Sequence, residues 1–278
     1  MADINLKGMG VALITPFKED ESVDYEALGR LVDYQVQNGT DYLVVLGTTA
    51  ETPTLTEEEK RNIIDLVVSH VRGRIPIVLG VGGNCTRNVV EQLKNGDFTG
   101  IDAILSVVHY YNKPSQEGIY QHYKAIANAT KLPIILYNVP GRTGVNMTAE
   151  TTLRIAREFE NVVAVKEASG NITQMDDIIK NKPDRFNVIS VIGNAFPREF
   201  SRMVRLALAG DYDSARTIHH SFTELFSLLF VDGNPAGAKS MLSMMGFIEN
   251  KLRLPLVPTR IVTYEKIREV LRQLSIKC

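Results

Sequence analysis

The sequence predicts an α/β fold, a TIM-type (β/α)8 barrel followed by a C-terminal helical extension. Short apolar runs alternate with longer segments of helical periodicity, in units of about 30 residues. Most of these runs are apolar throughout, which is typical of strands covered on both faces of a parallel sheet. After residue 196 only helical patterns follow. Repeated strand and helix units followed by helices alone favour a barrel with an added helical segment.

Seven apolar runs bounded by turn-forming residues are predicted to be strands. They are Val11–Phe17, Asp41–Gly47, Ile75–Val81, Asp102–Val108, Leu132–Val139, Val162–Ala168 and Phe186–Ile192. A barrel of this type has eight strands, yet only one strand fits between residue 181 and the helix predicted to begin at Pro197. One βα unit is therefore missing near residues 190–191, at the junction of Ser190 and Val191.

The segments between the strands are predicted to be helices, and several begin with a capping residue. Thr56 precedes three glutamates and Thr148 precedes Glu150, a composition that helix N-termini favour. The predicted helices are Tyr25–Asn38, Thr56–Val71, Thr86–Leu93, Ser115–Ala129, Ala149–Phe159, Ile172–Asn181, Pro197–Ala209, Tyr212–Leu229, Ala236–Asn250 and Thr259–Leu274. The catalytic barrel is predicted to span residues 1–209 and the helical extension residues 210–278.

A doubly wound parallel sheet is the alternative architecture. It is disfavoured because no Gly-x-Gly-x-x-Gly follows the first predicted strand. The glycines of the segment 80–83 have the wrong spacing and follow the third strand.

Composition and charge exclude several classes of partner. The 31 Lys and Arg against 32 Asp and Glu leave a net charge of −1, and no basic block suits nucleic acid. Cys85 and Cys278 are too few for a disulfide framework, and the five histidines lack metal-ligand spacing, so no metal is expected. Residues 1–5 do not resemble a leader, and no apolar run is long enough to span a membrane. These features predict a cytoplasmic protein that binds no membrane.

Lys166 is the most informative single residue, because it ends the apolar run that begins at Val162. An apolar strand would place this lysine inside the barrel, where desolvation lowers the pKa of an amine. A neutral amine attacks a ketone and forms an imine. The alternative is a structural lysine whose charge is satisfied by a buried carboxylate such as Glu167.

Three other segments place polar residues where predicted strands end. The phenol of Tyr137 could transfer protons beside Lys166, or it could be a hydrogen-bonded core residue. Arg142, in a Pro-Gly-Arg-Thr-Gly loop, could bind a substrate carboxylate, although an exposed loop arginine is common. Thr48 and Thr49 follow a glycine and could hold a small carboxylate, or they could form only a turn.

Taken together, four segments resemble the dihydrodipicolinate synthase family, part of the superfamily of pyruvate-dependent class I aldolases and N-acetylneuraminate lyase. The segments are Gly47–Glu51, Tyr110–Tyr111, Tyr137–Gly144 and Val165–Glu167. The resemblance implies a (β/α)8 barrel with a helical C-terminal extension, assembled as a homotetramer that is a dimer of dimers. It also implies a carbon–oxygen lyase that condenses pyruvate with L-aspartate-4-semialdehyde to 4-hydroxy-tetrahydrodipicolinate, without a cofactor, in lysine and diaminopimelate biosynthesis.

The same resemblance implies the catalytic residues. Lys166 would form the Schiff base with pyruvate, and a proton relay would link Tyr137, Thr49 and Tyr111. In this family, the tyrosine that corresponds to Tyr111 reaches into the site of the neighbouring subunit.

The substrate-binding residues are implied in the same way. Thr48 and Thr49 would bind the pyruvate carboxylate, Arg142 the carboxylate of the semialdehyde, and a carbonyl near Ile189 would bound the pocket. One departure is His109, where the family commonly has proline before the tyrosine pair.

Two alternatives to the synthase activity stay open at this point. The chain could be another pyruvate aldolase such as N-acetylneuraminate lyase, but those enzymes typically lack an arginine at the position of Arg142. It could also be a catalytically impaired homologue, because a barrel that loses one βα unit has an exposed edge.

Overall fold

The computed structural model describes residues 4–189 and 193–276. Contacts between these residues define two units. One comprises residues 4–6 and 76–189 and is called the β3–β7 unit, and the other comprises residues 7–75 and 193–276 and is called the β1–β2 unit. The described strands are β1 (Gly10–Ala12), β2 (Tyr42–Val45), β3 (Ile77–Gly80), β4 (Ala103–Val107), β5 (Ile134–Asn138), β6 (Val162–Glu167) and β7 (Asn187–Ile189).

Eleven α-helices lie within the described residues. They are α1 (Tyr25–Gln37), α2 (Glu57–Val71), α3 (Thr86–Asn95), α4 (Gln116–Ala127), α5 (Pro140–Thr143), α6 (Ala149–Glu158), α7 (Ile172–Asn181), α8 (Pro197–Leu208), α9 (Tyr212–Val231), α10 (Ala236–Met244) and α11 (Ile261–Gln273). None of them is long and apolar enough to cross a membrane.

In the β3–β7 unit, five parallel strands follow one another in chain order, each paired with the next. A helix or two precedes each later strand, as the alternating pattern predicts. Every residue of β5 is buried, which explains why this run is apolar on both faces. The predicted strand Phe186–Ile192 is described only as far as Ile189, and the Ser190–Val191 junction lies outside the described residues, as does Cys278.

In the β1–β2 unit, β1 and β2 pair in parallel, and α1 and α2 pack against each other. The remaining helices, α8 to α11, pack mainly around α9. The predicted N-cap at Thr56 is confirmed, because its hydroxyl accepts from the Glu59 N–H while the Glu59 carboxylate accepts from the Thr56 N–H. The predicted division into barrel and extension at residues 209 and 210 stays a prediction.

Three of the differences between the predicted and the observed elements have local reasons. The first predicted strand is too long, because the Ile14 N–H donates to Asn194 Oδ1 at 3.3 Å and not to β2, and Phe17 makes an antiparallel bridge with Val23. The predicted helix 236–250 ends at Met244, where Gly246 adopts a φ of 76° and closes a Schellman motif. The predicted loop after β5 contains one helical turn that begins at Pro140, a position that suits proline.

Candidate active site

Three of the predicted site residues lie side by side on neighbouring strands. Tyr137 on β5 is in register with Lys166 on β6, and Lys166 is in register with Ile189 on β7. Residues at the same level of a parallel sheet with matching pleat project to the same face. The sheet therefore brings the predicted nucleophile, a phenol and a predicted pocket residue together.

Lys166 is buried, with only 9% of its surface exposed. Its Nζ atom lies 4.5 Å from the centre of the Tyr137 ring, the arrangement of a cation–π contact. Burial, with a smaller effect from the positive charge of Arg142, lowers the pKa of the Lys166 amine to about 8. A substantial fraction of this amine is therefore neutral and nucleophilic near pH 8.

The alternative explanation of Lys166, a charge satisfied by Glu167, is wrong. The Glu167 carboxylate accepts hydrogen bonds from Asn138 Nδ2 at 3.0 and 3.2 Å, from Gln174 Nε2 at 3.0 Å and from the Ser169 N–H at 2.8 Å. Successive residues of a strand point to opposite faces, which separates residues 166 and 167. Glu167 thus belongs to a polar network on the other face of β6 that sequence reasoning did not identify.

Arg142 lies on the one-turn helix α5, directly after the strand that carries Tyr137. The turn is fixed by Thr143, whose buried hydroxyl contacts the carbonyl oxygens of Val139 at 3.2 Å and Val145 at 2.9 Å. The Arg142 side chain is exposed, and its charge contributes to the lowered pKa of Lys166. An exposed cation close to a buried amine is suited to bind an anionic substrate.

Tyr111 lies in the segment that follows β4, where it adopts a φ of 78°. This left-handed backbone is uncommon for a bulky residue and is found where the surroundings impose it. The side chain is 85% exposed within the single chain. The preceding His109 has its Nδ1 3.2 Å from the Asn112 carbonyl oxygen, a contact within the same loop.

Thr48 and Thr49 belong to the β1–β2 unit, in a short 3-10 turn that directly follows β2. Thr48 is exposed, whereas Thr49 is buried and its Oγ1 accepts a hydrogen bond of 2.9 Å from Asn234 Nδ2. The Gly47 carbonyl oxygen accepts from the Ala50 N–H at 3.0 Å and from the Thr52 hydroxyl at 2.9 Å. The segment is a turn held by several hydrogen bonds, and its Thr49 hydroxyl is hydrogen-bonded to Asn234.

Sequence reasoning missed three residues that surround this turn. Glu51 follows it, Asn234 contacts Thr49, and Lys239 on α10 forms a fully buried ion pair with Glu51. Lys239 could have been identified from the sequence, because it is a charged residue within an otherwise apolar helical stretch. The same kind of pattern identified Lys166. No sequence pattern indicates Asn234, because it lies in a loop far along the chain from Thr49.

We expect the rate of imine formation at low pyruvate concentration to rise with pH through about 8 and then level off. The neutral amine is the attacking form, and its fraction grows as the pH passes the lowered pKa of Lys166. Borohydride-trapped adduct, measured at early times across the pH range, gives the midpoint. Arg142→Ala should move this midpoint upward, since it removes a positive charge, and Arg142→Lys should leave it in place. A midpoint near the ordinary lysine value of 10.5 in the native protein would contradict this expectation.

Parallel strands alternating with helices, and a buried lysine at the carboxyl end of one strand, are the features of an α/β-barrel enzyme. The sequence profile of the Dihydrodipicolinate synthetase family matches residues 5–190 and 187–274. The chain belongs to this family, as the motifs around Thr49, Tyr137 and Lys166 predict.

Individual relatives agree with this assignment. The chain is 88% identical to the 4-hydroxy-tetrahydrodipicolinate synthase of Parabacteroides distasonis and 72% identical to that of Phocaeicola vulgatus, with 100% of both chains covered in each case. Among solved structures, dihydrodipicolinate synthase from Aquifex aeolicus is 41% identical with a TM-score of 0.92, covering 98% of this chain and 99% of that one. The enzyme from Thermotoga maritima is 40% identical with a TM-score of 0.92, covering 97% and 98%. The predicted barrel with a C-terminal helical extension is confirmed.

The comparisons also bear on the missing βα unit. The alignments with the two curated relatives run over 297 positions, whereas this chain has 278 residues, so about 19 positions have no counterpart here. The family profile matches in two stretches that meet at residues 187–190. The strand count predicts a loss near residues 190–191, and the position where the two profile matches meet agrees with that prediction.

Proposed function

We propose that this chain condenses pyruvate with L-aspartate-4-semialdehyde to 4-hydroxy-tetrahydrodipicolinate, a step of lysine and diaminopimelate biosynthesis. The observation that carries the proposal is the buried Lys166, whose amine has a pKa of about 8 and lies over the ring of Tyr137. Family membership and the names of the curated relatives support the choice of substrates.

The proposed chemistry begins when the Lys166 amine attacks the ketone carbon of pyruvate. Loss of water gives a protonated imine, which acts as an electron sink. Removal of a methyl proton then gives an enamine, whose carbon attacks the aldehyde carbon of the second substrate and forms the new carbon–carbon bond. The amino group of that substrate displaces Lys166 from the imine, which closes the ring and restores the free lysine. No step requires a cofactor.

The resemblance to the family supports the remaining assignments. We assign the proton relay to Tyr137, Thr49 and Tyr111, and the binding of the pyruvate carboxylate to Thr48 and Thr49. The exposure of Tyr111 in the single chain supports a role for its phenol in a neighbouring subunit of a homotetramer.

The two substrate-binding assignments of the β3–β7 unit complete the proposal. We assign Arg142 to the semialdehyde carboxylate and Ile189 to the boundary of the pyruvate pocket. The register of Ile189 with Lys166 supports the second of these assignments.

Arg142→Ala should raise the KM for the semialdehyde about 10- to 100-fold, because a charge-assisted hydrogen bond to a carboxylate contributes about 1.5–3 kcal/mol. Pyruvate adduct formation on Lys166 should persist. Steady-state kinetics with the semialdehyde varied at saturating pyruvate measure the effect. Arg154→Ala is the matched control, because Arg154 is an exposed arginine of the same unit that pairs with Glu117. An unchanged KM for the semialdehyde in Arg142→Ala would contradict the assignment.

The second candidate function, a homologue that binds pyruvate but does not turn over, is less well supported than the synthase and rests on one observation. The chain has no counterpart for about 19 positions of its curated relatives. N-acetylneuraminate lyase activity is not favoured, since the curated relatives are named as synthases.

The test combines pyruvate trapping with a condensation assay on the native chain. The protein is incubated with pyruvate, reduced with borohydride and analysed by peptide mass mapping, and condensation is followed after addition of the semialdehyde. An adduct on Lys166 together with turnover supports the synthase. An adduct without turnover supports the impaired homologue, and the absence of an adduct overturns both.

A further inference from the structure

The segment 234–239 contacts the threonine turn at two points within the β1–β2 unit. Asn234 Nδ2 donates a hydrogen bond of 2.9 Å to Thr49 Oγ1. Lys239 Nζ lies 2.5 Å from Glu51 Oε1, and both side chains are 0% exposed. Glu51 is only two residues beyond Thr49, so both contacts act on the same short stretch of backbone.

The Glu51 carboxylate is held from a second side. Its Oε2 atom accepts a hydrogen bond of 3.0 Å from the Arg253 N–H. Lys239 is fixed in turn, since its Nζ donates to the Lys251 carbonyl oxygen at 2.9 Å and lies 4.2 Å from the centre of the Phe17 ring. Neither charge of the pair can move without losing a buried partner.

The backbone at Glu51 supports a positioning role. Its φ of 55° is left-handed, a conformation that non-glycine residues adopt at a cost. A fully buried ion pair is a poor way to stabilise a fold, because an apolar pair of similar volume is often as good. The ion pair with Lys239 instead fixes the position of Glu51, and therefore the position of the turn that ends at this residue.

The Asn234 contact has a direction. An amide nitrogen only donates hydrogen bonds, so the Thr49 oxygen is the acceptor and its own proton remains for another acceptor. A hydroxyl held in this way donates toward a carboxylate or phenolate oxygen, which is what carboxylate binding and proton transfer at Thr49 require.

We propose that Asn234 and Lys239 are positioning residues for Thr49. Asn234 sets the direction in which the Thr49 hydroxyl donates its proton, and Lys239, through Glu51, fixes the turn that carries this hydroxyl. The inference rests on the proposed function, in which Thr49 takes part in binding and transforming pyruvate.

A double-mutant cycle tests the part played by Asn234. Thr49→Val should slow imine formation from pyruvate about 100-fold and Asn234→Ala about 10-fold, values in the range of lost proton-transfer and orienting groups. The double variant should be no slower than Thr49→Val alone, because the effect of Asn234 on imine formation would pass through the Thr49 hydroxyl. Rates of borohydride-trapped adduct on Lys166 are the measurement. Losses that multiply in the double variant, or no loss in Asn234→Ala, would overturn the proposal.

The direction of the hydrogen bond is tested by Asn234→Asp. A carboxylate at this place accepts the Thr49 proton instead of donating to the oxygen, so this variant should be slower than Asn234→Ala although it is closer in shape to the native residue. A purely structural role predicts the reverse order, and that order would overturn the assignment of direction.

The ion pair is tested by replacing both partners, Lys239→Met with Glu51→Leu, which avoids leaving one charge buried alone. We expect the KM for pyruvate to rise about 10-fold while the circular dichroism spectrum stays native. The control replaces an exposed pair of the same unit, Lys266→Met with Glu224→Leu, and should leave the KM unchanged. An unchanged KM in the buried double variant would overturn the role of Lys239.

These outcomes separate the inference from the function on which it rests. If the native chain forms no pyruvate adduct, or Thr49→Val is fully active, the proposed function or its use of Thr49 fails. If both behave as expected but the Asn234 cycle shows independent losses, only the positioning role fails.

Discussion

Lys166→Met is expected to abolish the pyruvate adduct and to lower the rate of condensation by at least about 10³-fold, as the loss of a nucleophile does in enzymes that use covalent catalysis. Methionine retains most of the volume and the unbranched stem of lysine. The residue is buried at the ring of Tyr137, so we expect the variant to fold without a cavity at β6. Peptide mapping after borohydride reduction and steady-state kinetics measure the two effects.

The matched control is Lys180→Met, at an exposed lysine of α7 in the same unit that pairs with Asp176. It should keep both the adduct and the turnover. An adduct that persists on another lysine of the Lys166→Met variant, together with undiminished condensation, would show that Lys166 is not the imine-forming residue.

Tyr137→Phe is expected to lower kcat about 100-fold, in the range that positioned proton-transfer groups contribute. The ring that lies over Lys166 Nζ remains in this variant, so the burial of the amine is kept and only the hydroxyl is lost. The KM for pyruvate should change little. Initial rates of condensation, with the pH profile of trapping as a second readout, measure the effect.

Tyr120→Phe is the control for this second prediction, since Tyr120 on α4 donates its phenol to Glu158 at 2.5 Å and lies outside the register of Tyr137, Lys166 and Ile189. Its activity should stay native. Equal losses in both variants would mean that removing a tyrosine hydroxyl acts through the fold and not through proton transfer.

Local sequence signals predicted much of the fold. Strands β3 to β6 were found because Val, Ile and Leu dominate where both faces of a strand are buried, whereas the residues of β7 are only half-buried. The missing βα unit was found by counting these runs, and the family match breaks at the same place. The ends of β1 and α10 were not found, because Ile14 and Gly246 make hydrogen bonds that the apolar pattern does not predict.

By itself the sequence determined that Lys166 is an unusual lysine, since a charge at the end of an apolar strand is costly unless a partner or a function accounts for it. It did not determine what neutralises or surrounds that charge. Glu167 is adjacent to Lys166 in the chain and was a reasonable partner for it. Because successive residues point to opposite faces of the strand, the Glu167 carboxylate instead accepts hydrogen bonds from Asn138 and Gln174.

Only the tertiary structure decided which residues meet. The register of β5, β6 and β7 places Tyr137 and Ile189 beside Lys166. The positive charge of Arg142 further lowers the pKa of the Lys166 amine. The pairing of Asn234 with Thr49 joins residues 185 positions apart. Propensity and periodicity depend on near neighbours in the chain, whereas contacts at such separations depend on how strands and helices pack.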